Sequence, residues 1–144
     1  MAEIGRPSSY SQEYADSICE HIASGRSLVS WCQEGDRPSY TSVMRWLEAR
    51  ESFRESYARA RQDQADYLAE EIVQIADDGS NDTYLTDDGL KTNQDVIARS
   101  RLRVDARKWY ASKLAPKKYG EKVEATHLGN IDHSLTVQFV GQKP

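Results

Sequence analysis

A run of hydroxyl and basic side chains between residues 37 and 45 has the residue types to bind a phosphate backbone. Val43, Trp46 and Leu47 recur at helical spacing, which turns them inward and leaves polar side chains on the outer face and near the helix start. Hydroxyl and guanidinium groups placed there can contact phosphates and base edges. The DNA contacts predicted in this segment are Arg37, Ser39, Tyr40, Thr41, Ser42 and Arg45.

Two short helices are predicted to position these side chains. Ser27 can cap the first helix, Gly35 ends that segment, and Ser39 can cap the second helix. A helix, a turn and a second helix form the arrangement that places one helix in the major groove of DNA. The turn over residues 33–38 is longer than in the commonest repressors, and a three-helix protein-interaction unit is the alternative interpretation.

A further helix from Ser11 to Ala23, with Ser11 as its N-cap, completes a predicted N-terminal domain over residues 1–52. Ahead of it, Arg6 resembles the arginine that some N-terminal arms insert into the minor groove, so it joins the predicted DNA contacts. A disordered N-terminus is the alternative. The domain is net acidic, which predicts weak DNA affinity per copy that several copies would recover through avidity.

Residues 53–118 are predicted to form a central domain of two long helices. Apolar side chains keep helical phase from Glu51 to about Ala76 and again from Asn93 to Ala115, where a proline closes the pattern. Residues 80–92 are polar, glycine-punctuated and without periodicity, which predicts a loop. Two long helices joined by one loop indicate an antiparallel helical hairpin.

The second long helix carries two apolar faces. Ala98, Leu102 and Trp109 share one side, while Ile97 and Val104 fall nearly opposite. The preceding helix can cover one face, and a neighbouring copy of the chain is the economical cover for the other. The alternative is that the N-terminal domain folds back over it. The residues predicted to mediate oligomerisation are Ile97, Leu102, Val104 and Trp109.

The C-terminal segment, residues 119–144, changes to a period of two. Val123 and Ala125 alternate with polar residues, and the same alternation returns at Leu135, Val137 and Phe139. One isolated β-hairpin is marginal in water, but hairpins from several copies can close into a barrel between subunits. The segment therefore also predicts association of identical copies, and a closed ring is the hypothesis.

Charge is segregated along the chain. Residues 63–95 hold ten carboxylates against Lys91, whereas residues 99–122 hold nine basic side chains against Asp105 and Glu121. The two blocks either neutralise each other across the helix pair or leave a basic zone for DNA.

Catalytic and metal-binding patterns are missing from the sequence. The histidines His21, His127 and His133 are scattered, and no Gly-x-x-x-x-Gly-Lys loop is present to hold phosphates. Residues 77–88 resemble a calcium loop only superficially, since the expected sixth-position glycine is Asp82. The prediction is a protein without enzymatic activity, without catalytic residues, and without a metal or cofactor.

The sequence also bounds the compartment. There is no run of about 18 apolar residues and no secretory signal, so neither a membrane partner nor export is expected. Cys19 and Cys32 lack a metal-binding spacing and suit buried thiols in a reducing cytoplasm.

Taken together, several motifs resemble those of bacteriophage terminase small subunits. The resemblance runs from Gly5 to about Val123, is loose at the start, and is specific in the last block. The motifs that carry it are Gly5-Arg6-Pro7-Ser8, Val43-Met44-Arg45-Trp46-Leu47, Tyr57-Ala58-Arg59-Ala60, Glu70-Glu71-Ile72, Arg101-Leu102-Arg103-Val104-Asp105-Ala106-Arg107-Lys108-Trp109 and Ala115-Pro116-Lys117-Lys118-Tyr119-Gly120.

The resemblance implies a mainly α fold with an N-terminal helix-turn-helix domain, a central oligomerising helical hairpin and a C-terminal β-hairpin in an intersubunit barrel. It implies a host-cytoplasmic protein that recognises double-stranded viral DNA at the packaging site and forms a ring of roughly eight to ten copies. Such a ring delivers DNA to, and regulates, a large subunit with ATPase and nuclease activity, which it would meet through the tail beyond Phe139. The acidic insert over residues 80–92 departs from the family pattern. The resemblance therefore does not determine the size of the ring or the structure of its outer rim.

Two other functions remain compatible with the residues. A dimeric helix-turn-helix transcriptional regulator would bind paired half-sites, and a structural adaptor would use its basic helix only to neutralise the acidic one. Whether DNA wraps around the ring or threads it is left open by the sequence.

Overall fold

The computed structural model describes residues 9–122 and is mainly helical, as predicted. The predicted strands between Val123 and Phe139 lie outside the described residues, as does Arg6. In chain order the elements are α1 Gln12–Ala23, α2 Leu28–Cys32, α3 Tyr40–Ala49, α4 Glu51–Asp77, β1 Thr83–Thr86, β2 Gly89–Thr92, α5 Gln94–Leu114 and α6 Pro116–Tyr119.

Side-chain caps fix where four of the helices begin. The Ser11 hydroxyl accepts a hydrogen bond from the Tyr14 amide at 3.1 Å, which satisfies one orphan N–H of the first turn. The remaining cap residues act in the same way on the amide three positions later and are Ser27 at α2, Ser39 at α3 and Asn93 at α5. All four starts were predicted from the sequence.

The first three helices pack with the beginning of α4 around one apolar core. Ile18, Trp31 and Val43 are fully buried, and the Trp31 indole nitrogen donates to the Ser17 hydroxyl at 3.0 Å. Phe53 and Ala60 of α4 belong to the same cluster. We call α1–α3 with residues 51–60 the N-terminal unit. The domain division at residues 52 and 53 stays a prediction, because α4 runs through that point without a break.

Helices α4 and α5 pack antiparallel as the central helix pair. The early part of α4 meets the late part of α5, where the Gln62 side chain donates to the Leu114 carbonyl at 3.2 Å. Ala65 of α4 is buried against Ala111 and Ala115. Small residues at this crossing let the two backbones approach closely, as the predicted helical hairpin requires.

The connection between α4 and α5 is a β-hairpin, so the prediction of an irregular loop over residues 80–92 was wrong. Strands β1 and β2 pair antiparallel, with Thr86 opposite Gly89 across a turn formed by Asp87 and Asp88. Gly89, directly after the turn, adopts a φ of 111°. Glycine adopts this backbone conformation with little strain, whereas residues with a Cβ rarely do. Within the described chain the hairpin packs against none of the helices.

Candidate nucleic-acid interface

The exposed start of α3 is the candidate surface for nucleic acid. Val43 is fully buried and Trp46 is 6% exposed, so the apolar side of the helix faces the core. Tyr40 is 48% exposed, and Thr41 and Arg45 are also exposed. Arg45 makes no hydrogen bond or ion pair with any residue between 9 and 122, which leaves its guanidinium group available to a partner.

The serines at this end of α3 are partly committed to the helix itself. The Ser39 hydroxyl accepts from the Ser42 amide at 3.3 Å and lies 3.0 Å from the Ser42 hydroxyl. The Ser39 cap satisfies one N–H of the first turn, and this end of the helix carries the positive end of the helix dipole. An anion approaching this end would therefore meet backbone N–H groups as well as Thr41.

Arg37 is held by its own unit. Its guanidinium lies 4.8 Å from the Trp31 ring centroid, pairs with Glu34 at 2.9 Å and donates to the Trp31 carbonyl at 3.3 Å. These contacts fasten the α2–α3 turn onto α2. A phosphate contact by Arg37 stays a prediction, and it would have to compete with these partners.

Two arginines that the sequence reasoning did not assign brace the other end of α3. The Arg50 guanidinium lies 3.8 Å from the Tyr10 ring centroid. Arg54 donates to the Leu47 carbonyl at 2.9 Å and to the Glu48 carbonyl at 3.2 Å. A cation just beyond a helix end commonly binds the last carbonyls. The positions of Arg50 and Arg54 directly after α3 could therefore have predicted this role.

A buried histidine joins α1 to α2 behind this surface. His21 is 3% exposed, its Nε2 lies 2.8 Å from the Ser30 hydroxyl, and its Nδ1 is 3.8 Å from Glu34. Burial lowers the pKa of His21, with a further lowering from the nearby Arg26 charge. The neutral imidazole is therefore the form that the fold favours near pH 7.

The outward face of α5 is the second surface that the structure leaves uncovered. Leu102 is 57% exposed and Trp109 is 63% exposed, on the side of α5 that points away from α4. Ala111 is buried against α4 and Val104 is partly buried, while Ile97, at 36%, lies at the border. Of the two residues predicted opposite Leu102, Val104 is partly covered and Ile97 is exposed, and neither α1, α2 nor α3 folds back over the outward face.

Most of the charged side chains on the helix pair form no ion pair with another of residues 9–122. Two ion pairs join the blocks in the described region: Arg107 with Glu71 at 2.8 Å, and Lys118 with Asp66 at 2.7 Å. The hydrogen bond from Lys118 lowers the pKa of Asp66. The basic side chains of α5 that form no ion pair in residues 9–122 are Arg99, Arg101, Arg103, Lys108 and Lys113.

Comparison with known families identifies the chain. The profile of the family described as "Bacteriophage Sf6, terminase small subunit-like" matches residues 10–126. The chain belongs to this family. It is a phage terminase small subunit, a component of the genome-packaging apparatus, as its motifs indicated.

Solved structures agree with the family assignment of this terminase small subunit. Three crystal structures of point variants of the terminase small subunit gp1 of the bacterial virus Sf6 are 35%, 35% and 34% identical to it. In each case the match covers 94% of this chain and 96% of the other, with a TM-score of 0.66. Among curated proteins no significant match was found.

A polar network at the junction of the terminase small subunit's two regions was not predicted. Arg61 donates to the Tyr110 hydroxyl at 2.7 Å and to the Gln64 side chain at 2.8 Å, and it also contacts the Tyr57 hydroxyl. Gln64 is fully buried and donates to the Arg26 carbonyl at 2.9 Å. The network ties the N-terminal unit to both long helices, and only the three-dimensional arrangement shows it.

The described part of this terminase small subunit offers no arrangement for catalysis at a metal. No group of three or more His, Cys, Asp or Glu side chains in residues 9–122 is placed to hold an ion. A 460 Å³ crevice opens between the α1–α2 turn and α5, with Gly25, Leu68 and Trp109 in its walls.

None of the helices in residues 9–122 is both long and apolar enough to cross a bilayer.

Proposed function

We propose that this terminase small subunit binds viral DNA at the packaging site through the start of α3 and assembles as a ring through the outward face of α5. The observation that carries the proposal is the uncovered apolar line of α5, where Leu102 and Trp109 lie seven residues apart and more than half exposed. Large aromatic side chains in such a position are typical anchors of protein interfaces.

The chemistry around that line indicates what covers it. At 100° per residue, Arg101 and Lys108 flank Leu102 and Trp109 on one side, and Arg99 and Lys113 flank them on the other. A partner for this face needs an apolar contact with acidic side chains beside it.

The outward face of α4 in a neighbouring copy meets this need. Asp63, Glu70 and Asp77 are exposed and recur every seven residues on the side of α4 that points away from α5. Tyr67 and Val73, 45% and 58% exposed, border the same line. The sequence reasoning did not single these two out, although both fall outside the inward phase of the helix.

Because the two complementary faces lie on opposite sides of the helix pair, each copy can use one to bind the preceding copy and the other to bind the next. Such a head-to-tail contact closes into a ring when its rotation divides a full turn. The family resemblance favours roughly eight to ten copies. Each ring would then present several N-terminal units to one DNA molecule, which compensates for weak binding by each unit.

In this scheme the small subunit recognises DNA and supplies no bond-breaking chemistry. ATP hydrolysis and DNA cleavage belong to a large terminase subunit, to which the ring delivers DNA. The tail beyond Phe139 is the proposed contact with that subunit.

The DNA-binding part of the proposal is tested at Arg45. Arg45→Ala removes an exposed cation without an intramolecular partner in the described chain, so affinity for packaging-site DNA should fall by about 1–3 kcal/mol per bound unit. Arg45→Lys is the matched control: it keeps the charge but loses the bidentate guanidinium, so it should retain the salt dependence and lose sequence preference.

Titration of fluorescent DNA at several salt concentrations gives both quantities, and native mass spectrometry gives the assembly mass. Unchanged affinity of Arg45→Ala would remove α3 from the DNA interface. A wild-type particle of two protomers on a palindromic site would instead favour a transcriptional regulator.

A further inference from the structure

The β-hairpin between α4 and α5 carries an apolar face that no other element of residues 9–122 covers. Leu85 and Leu90 are cross-strand partners and therefore project from the same face. They are 80% and 71% exposed, more than any other large apolar side chain of the described residues. Tyr84 pairs with Lys91 on the opposite face.

An isolated two-stranded hairpin is marginally stable in water. The hairpin is anchored at its base, where the Asn93 amide donates to the Asp82 carbonyl at 2.7 Å, and the turn residue Asp88 pairs with Lys91 at 3.7 Å. Neither contact protects the leucine face from water. Its two aliphatic side chains favour burial against a surface outside the hairpin.

We infer that the hairpin docks onto the first turns of α5 in the neighbouring copy and acts as a clasp across each contact of the ring. The inference rests on the proposed ring and assigns to it a second contact, separate from Trp109. Exposed apolar atoms are available at the receiving site, since Ile97 is 36% exposed on a flank of α5 outside the line of Leu102 and Trp109.

Charge complementarity selects this receiving site. The turn presents Asp87 and Asp88, of which Asp87 has no ion pair within the described chain. The first turns of α5 present Arg99, Arg101 and Arg103, which also form no ion pair among residues 9–122. An acidic turn beside two leucines therefore meets Arg101 beside Ile97, which lie about 40° apart around the helix.

Ring symmetry brings the two segments to the same level. In a cyclic assembly every copy of a given residue lies at one height along the axis, and α5 begins directly after the hairpin. A four-residue strand spans about 13 Å, and the eight-residue step from Gln94 to Leu102 rises about 12 Å along the helix. The hairpin thus matches the length of the helix segment that it would cover.

The test replaces the leucine face while leaving the proposed Trp109 contact intact. In the full chain, the double variant Leu85→Ser and Leu90→Ser should keep the helix content and raise the concentration at which the ring dissociates by about tenfold or more. Tyr84→Ser is the matched control on the opposite face of the same strand, and its dissociation concentration should stay at the wild-type value.

The charge arm uses reversal and rescue. Asp87→Lys should weaken the assembly, and adding Arg101→Glu in the same chain should restore part of the loss. A dissociation concentration that the leucine double variant leaves unchanged overturns the clasp, while a Trp109-dependent ring would still stand. A wild-type chain that sediments as a monomer overturns the ring and the clasp together.

Discussion

The two halves of this terminase small subunit treat the same residue type in opposite ways. Trp31 in the N-terminal unit is fully buried and hydrogen-bonded to Ser17, whereas Trp109 on α5 is 63% exposed. The N-terminal unit surrounds its apolar residues with three helices and the start of a fourth. The central pair has only two helices, so each retains a side with no element of residues 9–122 against it. The first half buries its apolar residues within one copy, and in the proposed ring the second half buries its own against neighbouring copies.

The difference also separates the roles of their surfaces. The N-terminal unit turns polar and basic groups such as Thr41 and Arg45 outward, which suits a hydrated and salt-sensitive contact with nucleic acid. The central pair turns Leu102 and Trp109 outward beside cations that form no ion pair among the described residues, which suits a drier contact with a complementary protein face.

The largest expected effect is the loss of stability on replacing Trp31, in the core of the N-terminal unit. Trp31→Ala removes a fully buried indole and leaves a cavity, so the free energy of unfolding of the N-terminal unit should fall by about 3–5 kcal/mol. Urea denaturation followed by tryptophan fluorescence and circular dichroism measures the loss. Retention of wild-type stability would show that the unit does not depend on this core.

Trp109→Ala should weaken the contact between copies and leave the stability of each protomer nearly unchanged. The stability of a single protomer should change by less than about 1 kcal/mol, while each contact between copies should lose about 2–4 kcal/mol and the assembly should dissociate. Sedimentation velocity at several concentrations gives the mass. Val29→Ala, which trims a 51% exposed side chain of the N-terminal unit, is the control and should leave the assembly intact.

The helix starts and the two faces of α5 could be predicted because both depend on residues close together in the sequence. Ser11, Ser27, Ser39 and Asn93 mark helix starts because a cap acts within one turn. The two-faced nature of α5 was visible because helical periodicity alone sets the side of each residue.

Longer-range features escaped the sequence. The Arg61 network depends on packing between helices far apart in the chain, since Arg61 and Tyr110 lie 49 residues apart. The β-hairpin was missed for another reason: its Asp88-Gly89 turn signal was present between β-branched and aromatic residues, but its acidic turn and lack of helical period led to the prediction of a loop.

A smaller effect sharpens the boundary where the two halves meet. Gly25 adopts a φ of 84°, and a Cβ added there would overlap the Tyr67 ring of α4. Gly25→Ala should therefore cost about 1–2 kcal/mol of stability through backbone strain and displacement of that ring. Gly35→Ala has a φ of 63° with open space around the added methyl group, so it isolates the strain.

Thermal melts of the two glycine variants, compared with wild type, separate the contributions. The larger loss is expected for Gly25→Ala. Equal losses would show that the Tyr67 contact contributes nothing beyond backbone conformation.

The smallest expected effect is a pH dependence of the stability of the N-terminal unit, which arises from His21. Because burial lowers the pKa of His21 below its ordinary value of 6.5, the unfolded chain binds the proton first. The free energy of unfolding should therefore fall as the pH drops below about 6.5, and His21→Gln should reduce that slope. Urea titrations from pH 7.5 to 5.5 measure it, and identical slopes in the two proteins would contradict the assignment.

Helix α4 runs from Glu51 to Asp77 as one unbroken element, with its first turns in the core of the N-terminal unit and its last turns beside the hairpin. Its 27 residues span about 40 Å. A stiff rod of that length works as a lever: a tilt of about 5° at the DNA-facing end sweeps the far end through roughly 3–4 Å, by the same helix geometry. If the proposed ring forms, DNA that reorients one N-terminal unit would exert torque on the neighbouring protomer and transmit load around the whole ring.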